Sequence, residues 1–506
     1  MLVARRLCKI IGTLHFKNED EKMQFSVEDI FAGKTFDDFS ILPQLGVVEH
    51  RENVQLKTRF SKNVELNLPL VAANMDTVTG PKMCIAMAQH GGIGILPRSG
   101  AIPISLQAEW AREVKRAENF IIRDPYTILE SQRVGEARQS MKEKGIGTLL
   151  VVGEKQELAG MITEEDIILC FNEAEPLTDW MQKITNGNLR FTKKTIMSVE
   201  EAASELRKHR VNKLPIIDGL TFSILGLITA KDIARLLKNK WANKDKEGRL
   251  RVGAAIGATG DYLERAGELI KAGVDVVVMD IAHAHNKAVV PRAVKKFREK
   301  FGDFELVCGN AATFEGAEFL RDLGVQGIKV GIGSGHGCLT RIKTGVGVPQ
   351  VHAIRAVWHA LKDSDTPIIS DGGVRQAGHI SIALMVGASS VMVGSMLAGT
   401  DEALGRLIRD PLTGASKKEY RGMTSPQAKL ATSSEDSIKN VEGRSEEVPY
   451  RGGVAEILKS IQQDLQSMVS YSGEADLESA RLKFVQDPLQ FLVPLSPAAI
   501  QESYRR

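Results

Sequence analysis

The stretch VDVVVMDIA, residues 274–282, is an almost unbroken apolar run that carries its last carboxylate, Asp280, near its end. A half-solvated strand would alternate apolar and polar residues. A continuous run of β-branched residues belongs instead to a strand buried on both faces, as in a parallel sheet. PRAVKKFREKFG (291–302) follows, with apolar residues at helical spacing. Working outward, the couple repeats as LVCGNAAT (306–313) with EGAEFLRDLG (315–324), then GIKVGIG (327–333), TPIISDGG (366–373) and SVMVGSML (390–397). LPLVAANMD (68–76) and GGIGILP (91–97) stand upstream. About eight strand–helix units predict an α/β fold of the (β/α)8 TIM-barrel type. A doubly wound open sheet is the alternative, but no G-x-G-x-x-G opens a helix after the first strand.

A repeat interrupts these units. GMITEED (160–166) returns as GLITAKD (226–232), each copy after a short apolar run, TLLVV (148–152) and LPIID (214–218). Helical patterns precede both, VGEARQSMKEKG (134–145) and VEEAASELRKHR (199–210). Two copies suggest a paired module, since solenoids need three or more. The arrangement resembles a tandem CBS domain pair inserted in the barrel. The resemblance implies boundaries at 1–118 (barrel), 119–238 (CBS pair) and 239–506 (rest of the barrel, flap and C-terminal segment). It also implies that Thr163, Asp166, Thr229 and Asp232 bind a regulatory purine nucleotide. The plainer reading is that these residues cap the helices that follow them.

Composition sets limits. The 506 residues are 43% hydrophobic and 25% charged, as in globular proteins. A net charge of +3 gives no support to nucleic-acid binding. No apolar run approaches the roughly 18 residues of a membrane span. The start, MLVARRLCKIIGTLHF, makes a poor secretory signal because Lys9 breaks its apolar run. The five cysteines (Cys8, Cys84, Cys170, Cys308 and Cys338) form no CxxC pair and no metal spacing. Reduced thiols and a cytoplasmic location are expected.

Polar residues gather where the strands end: Asp280, Asn310, Asp371 and the glycine-rich GIGSGHGCLTRIKTGVGVPQ (331–350). Barrel enzymes place their chemistry there. DGG (371–373) and GS (394–395) follow the two latest strands, where barrels commonly bind phosphate. Cys338, alone in a permissive loop, is the candidate nucleophile.

KVGIGSGHGCLTRIKTGVGVPQ (329–350) resembles the catalytic loop of the IMP dehydrogenase/GMP reductase family. TFDDFSILP (35–43), AANMDTVTG (72–80), GNAATFEGA (309–317), IISDGGVR (368–375) and YRGMTS (420–425) match in order. The resemblance implies that Cys338 attacks C2 of a purine nucleotide to give a thioimidate, with hydride moving between C2 and a nicotinamide. It implies proton handling by Thr340 and Glu442. Asp371, Gly373, Gly394, Ser395 and Tyr420 would hold ribose and 5′-phosphate, and Met423 and Glu442 would meet the base. Asp280 and Asn310 would line the nicotinamide side. Carbonyls of Gly333, Gly335 and Cys338 correspond to a monovalent-cation (K+) site, and the family forms tetramers that pair into octamers. His336 departs from the usual phosphate-binding serine but can still donate to phosphate. Leu339 replaces the usual threonine.

Dehydrogenases of this family hydrolyse the adduct with an Arg-Tyr pair on a flap. The interval TSPQAKLATSSEDSIKNV (424–441) holds neither residue. That absence, with Thr340 and Glu442 retained, points to a GMP reductase that uses NADPH to convert GMP to IMP and ammonia. The alternative is an NAD-dependent IMP dehydrogenase. A second alternative is a non-catalytic nucleotide-sensing paralogue, with His336 and Leu339 as signs of decay.

Overall fold

The structure, a computed structural model, describes residues 27–504 except 118–120, 123, 169, 186–188, 195–198, 239–240, 412 and 431–440. The N-terminal stretch with Cys8, and most of the flap interval, lie outside the described residues.

Eight parallel strands close into a barrel: β1 (Leu70–Ala72), β2 (Ile93–Leu96), β3 (Gly253–Ile256), β4 (Val276–Asp280), β5 (Leu306–Ala311), β6 (Gly327–Val330), β7 (Ile368–Asp371) and β8 (Ser390–Val393). Neighbours pair in chain order, and closure runs from β8 to β1 through Val391 opposite Leu70. The (β/α)8 expectation therefore holds, and the open sheet is excluded. The strand of the opening stretch behaves as its composition requires, with Val276, Val277, Val278 and Met279 all fully buried. Alternate residues face inward and outward. Val276 and Val278 join Val71, Ile93, Ile95, Val307 and Ile369 inside the barrel, while Val277 and Met279 pack under the helices.

The helix after β4, α4 (Val290–Phe301), starts with Pro291 in its first turn, where a missing N–H costs nothing. It buries Val290, Ala293, Val294 and Phe297, one stripe at helical spacing, and ends at Gly302 with φ +60°. A hairpin of Thr58–Ser61 and Val64–Leu66 plugs the lower end, with Phe60, Val64 and Leu66 in the inner core. The open end is thus the one where the strands finish.

The helix after β2, α2 (Ile104–Arg116), leads into residues 121–238 before the chain returns to β3. This segment carries two three-stranded sheets. One contains Thr127–Leu129, Thr148–Val152 and Leu158–Thr163. The other contains Lys213–Ile217, Ile224–Thr229 and the early strand Ile121–Ile122. Each half has its own core, and Leu150, Leu158, Ile217 and Leu227 join the halves. At the junction with the barrel, Lys115 at the end of α2 sits between Asp245 (3.0 Å) and Asp275 (2.6 Å), just before β4. One buried cation therefore ties the outgoing and returning chains to the barrel. Among the described residues no helix is long and apolar enough to cross a membrane.

Candidate active site

A cavity of about 710 Å³ opens at the C-terminal ends of the strands. Its floor is a ring of side chains from five strand ends. Lys329, on β6, is buried and directs Nζ to Asp280 Oδ1 on β4 (2.8 Å) and to Asp371 Oδ2 on β7 (2.5 Å). Asn74, just past β1, donates to Asp280 Oδ2 (2.6 Å). Asn310, on β5, donates to Asp371 Oδ2 (3.0 Å) and to Gly331 O (2.6 Å). Burial alone would raise the carboxyl of Asp280, but the ammonium and amide beside it hold it below the usual carboxylate range. Burial likewise would lower Lys329, yet the two carboxylates outweigh it and hold the lysine up. Asn310 Oδ1 is buried without a partner, an acceptor waiting for a donor from outside the protein.

The rim is built differently. Cys338 Sγ donates to Thr340 Oγ1 at 3.2 Å, and Thr340 donates to Glu442 Oε2 at 2.6 Å. Thiol, hydroxyl and carboxylate thus form one proton path across two distant segments. Backbone bonds zip the segments together: Leu339 N to Glu442 O (2.7 Å) and Arg444 N to Gly337 O (3.0 Å). Lys343 adds a bond to Val441 O at 2.8 Å. The strand Ser416–Arg421 pairs with Ser445–Pro449 beside the mouth. Arg421 anchors it by a fork onto Asp76, at 3.0 and 2.9 Å.

The turns after β7 and β8 complete the wall. Gly372 and Gly373 have φ of +100° and +81°, open to glycine and costly for other residues. A Cβ on Gly372 would stand 2.7 Å from Ser334 Oγ, so the DGG turn packs directly on the cysteine loop. Gly394 faces Tyr420, whose hydroxyl is pushed up by burial and the nearby Glu446 carboxylate. Gly333, Gly335, Ser395 and Met423 line the same cavity. His336 lines it too, but its ring reaches Glu446 at 2.7 Å.

Every residue singled out in the barrel thus meets at one cavity. Thr163 and Asp166 do not; they lie in the insert, hydrogen-bonded to each other at 2.7 Å, and Thr229 pairs with Asp232 at 2.6 Å. Asp166 N donates back to Thr163 Oγ1, a helix-capping geometry. Three participants escaped the sequence reading: Lys329, Glu446 and the Asp76–Arg421 fork. Lys329 had left a signal, a lysine inside the apolar strand GIKV, because a charge buried there must find a counter-charge. Among the described residues no cluster of three or more His, Cys, Asp or Glu could hold a metal ion.

Residues 33–504 match the family model described as the IMP dehydrogenase / GMP reductase domain. The chain belongs to the IMP dehydrogenase/GMP reductase family. It is 42% identical to the inosine-5′-monophosphate dehydrogenase of Nitrosopumilus maritimus, over 87% of this chain and 92% of that one. With the corresponding protein of Aquifex aeolicus the identity is 40%, over 90% and 93%. Among solved structures, a cysteine variant of Trypanosoma brucei GMP reductase with guanosine 5′-monophosphate superposes with a TM-score of 0.80. That match is at 36% identity and covers 96% of this chain and 98% of that one.

These relatives correct the expectation of an NADPH-dependent GMP reductase. The reported relatives in sequence are IMP dehydrogenases, and they are more identical to this chain than the reductase structure is. The expectation rested on a flap without Arg-Tyr, taken to mean that no base could activate water. Thr340 and Glu442, 2.6 Å apart, counted together with that absence as a reductase feature, but a hydroxyl–carboxylate pair can equally take a proton from water, so the pair does not separate the two branches. The two branches of the family share a purine-nucleotide substrate and a nicotinamide cofactor.

Proposed function

We propose that the protein is an IMP dehydrogenase that oxidises IMP at C2 to XMP with NAD. The observation that carries this reading is the Cys338–Thr340–Glu442 path at the mouth of a cavity whose floor offers Asp371, in a chain whose relatives bear that name. Cys338 gives its proton through Thr340 and Glu442 to solvent and adds to C2, and the hydride on C2 departs. NAD, when bound, supplies the acceptor for that hydride. Asp280, Asn310 and the neighbouring wall would hold it, and the unpartnered Asn310 Oδ1 fits a donor from a carboxamide or ribose.

Water then adds to the thioimidate carbon. Its proton passes through Thr340 to Glu442, and the collapse expels Cys338 as thiolate, a good leaving group. Atoms balance: water contributes the new C2 oxygen, and the thiol is regenerated. Asp371 keeps an oxygen for the ribose diol, while the glycine turns after β7 and β8 offer backbone N–H groups to the phosphate. Carbonyls of Gly333, Gly335 and Cys338 would hold a monovalent cation. Gly335 O already accepts Cys338 N at 3.0 Å, which leaves it a single free lone pair. In the insert, Thr163, Asp166, Thr229 and Asp232 would meet a purine nucleotide effector, at the cost of opening their mutual hydrogen bonds.

The test is an assay of IMP with NAD beside GMP with NADPH. NADH formation dependent on IMP is expected. NADPH oxidation dependent on GMP, without IMP turnover, would overturn the reading, and no turnover in either arm would favour the nucleotide-sensing alternative.

A further inference from the structure

We propose that Lys329 is a positioning residue that couples the nucleotide side of the cavity to the cofactor side, by holding Asp371 and Asp280 on one ammonium. The inference rests on the assignment of Asp371 to the nucleotide and Asp280 to the cofactor made above. Asp280 ends β4 and Asp371 ends β7, so the two carboxylates belong to strands that never pair. Lys329, on β6 between them, has only 4% of its side chain exposed and reaches both, at 2.8 and 2.5 Å.

The intervening strand makes room for this reach. A Cβ on Gly309 of β5 would stand 2.5 Å from Lys329 Cβ, so any larger residue there would displace the lysine. Both carboxylates have a further partner. Asn74 occupies Asp280 Oδ2, and Asn310 shares Asp371 Oδ2 with the lysine. Two carboxylates and one ammonium leave a net single negative charge. Moving either carboxylate toward a ligand must therefore move the cation and, through it, the other carboxylate. A ribose bound at Asp371 sets the position of Asp280, and the reverse holds by linkage.

The experiment is a cycle of Asp280→Asn and Lys329→Met, with IMP affinity measured by calorimetry and folding monitored by thermal melting. Asp280 is not assigned to IMP, so the substitution matters to IMP only through the lysine. Asp280→Asn should shift the IMP Kd by about fivefold in the natural background and by less than about twofold beside Lys329→Met. Lys329→Arg, which keeps the charge, should restore the larger shift. Equal shifts in both backgrounds would overturn the coupling while leaving IMP as the substrate. If Lys329→Met does not fold, Asp280→Asn alone decides, and an unchanged IMP Kd overturns the proposal. Failure of the natural protein to bind IMP would instead overturn the purine-nucleotide reading and the coupling with it.

Discussion

The floor and the rim of the cavity hold their polar groups in opposite ways. On the floor, charges meet through side chains that project from rigid strand ends, and Lys329 is almost wholly buried. On the rim, Cys338 and Glu442 lie on loops tied mainly by backbone bonds, and Cys338 is only half-buried. Strands in a barrel open only when the whole domain opens, whereas loops can open alone. The difference teaches a division of labour. On the proposed reading, the floor would fix where a nucleotide and a cofactor lie, and the rim would carry the bond making.

Breaking the rim should cost the most. Cys338→Ala should remove turnover by at least on the order of a thousandfold, because among the described residues no other thiol lines the cavity. Nucleotide binding, set by the floor, should survive. Calorimetry with IMP beside a steady-state assay checks both halves, and loss of IMP binding would show that floor and rim are not separable.

Glu442→Gln separates the steps within the rim. The amide keeps a hydrogen bond to Thr340 but cannot take a proton, so hydrolysis of the adduct should slow by roughly 10² to 10⁴. Adduct formation and hydride departure should be less affected. A rapid burst of NADH followed by slow turnover is the expected trace. A uniform slowing without a burst would place the hydrolytic base elsewhere.

That step is also where the sequence was least legible. The barrel could be read from local runs such as VDVVVMDIA, because burial on both faces leaves a compositional mark on each strand separately. Asp371 and Asn310 could be found because they stand at the ends of those strands, and Cys338 because it lies in the loop after one. Thr340 and Glu442 could be named together from the motifs, but the missing flap motif looked like a missing base and decided the branch. Lys329 and Arg421 were hidden because their partners lie far along the chain, on other strands or in the turn after β1, and one sequence does not say which of these meet.

Breaking the anchor between floor and rim comes next. Arg421→Met would leave Asp76, 4% exposed, without its cation, at a cost of roughly 2 kcal/mol in stability. Because Arg421 adjoins the residues that carry Met423, activity should fall by about tenfold. A chemical denaturation curve beside kcat measures both, and an unchanged kcat would mean that the rim keeps its place without this fork.

The floor should respond to acid in a defined direction. Asp280 is held below the ordinary carboxylate range, so its ion pair contributes fully above about pH 4, the unfolded value, and is lost as pH falls through the lower folded value. The melting difference between the natural protein and Lys329→Met should therefore shrink as pH falls, first where the variant's buried Asp280, without its cation, takes up a proton and finally below about pH 4. Growth of that difference in acid would mean that the lysine does not act by neutralising carboxylates.

The smallest effect contrasts two thiols. Cys308, in the middle of β5, is fully buried, and its thiol is pushed up to about 12 by burial first and by the negative Asp280 second. Cys84 is raised by burial alone. At pH 8 both stay protonated and shielded, so alkylation by iodoacetamide should mark neither while the protein is folded. Cys338 stands in the open cavity and should be modified, with loss of activity, and bound nucleotide should protect it because the purine would cover the sulfur. Peptide mapping after brief labelling reads all three positions at once. Labelling of Cys308 at a rate near that of Cys338 would mean that β5 opens as readily as the rim, and the contrast between a fixed floor and a moving rim would fail.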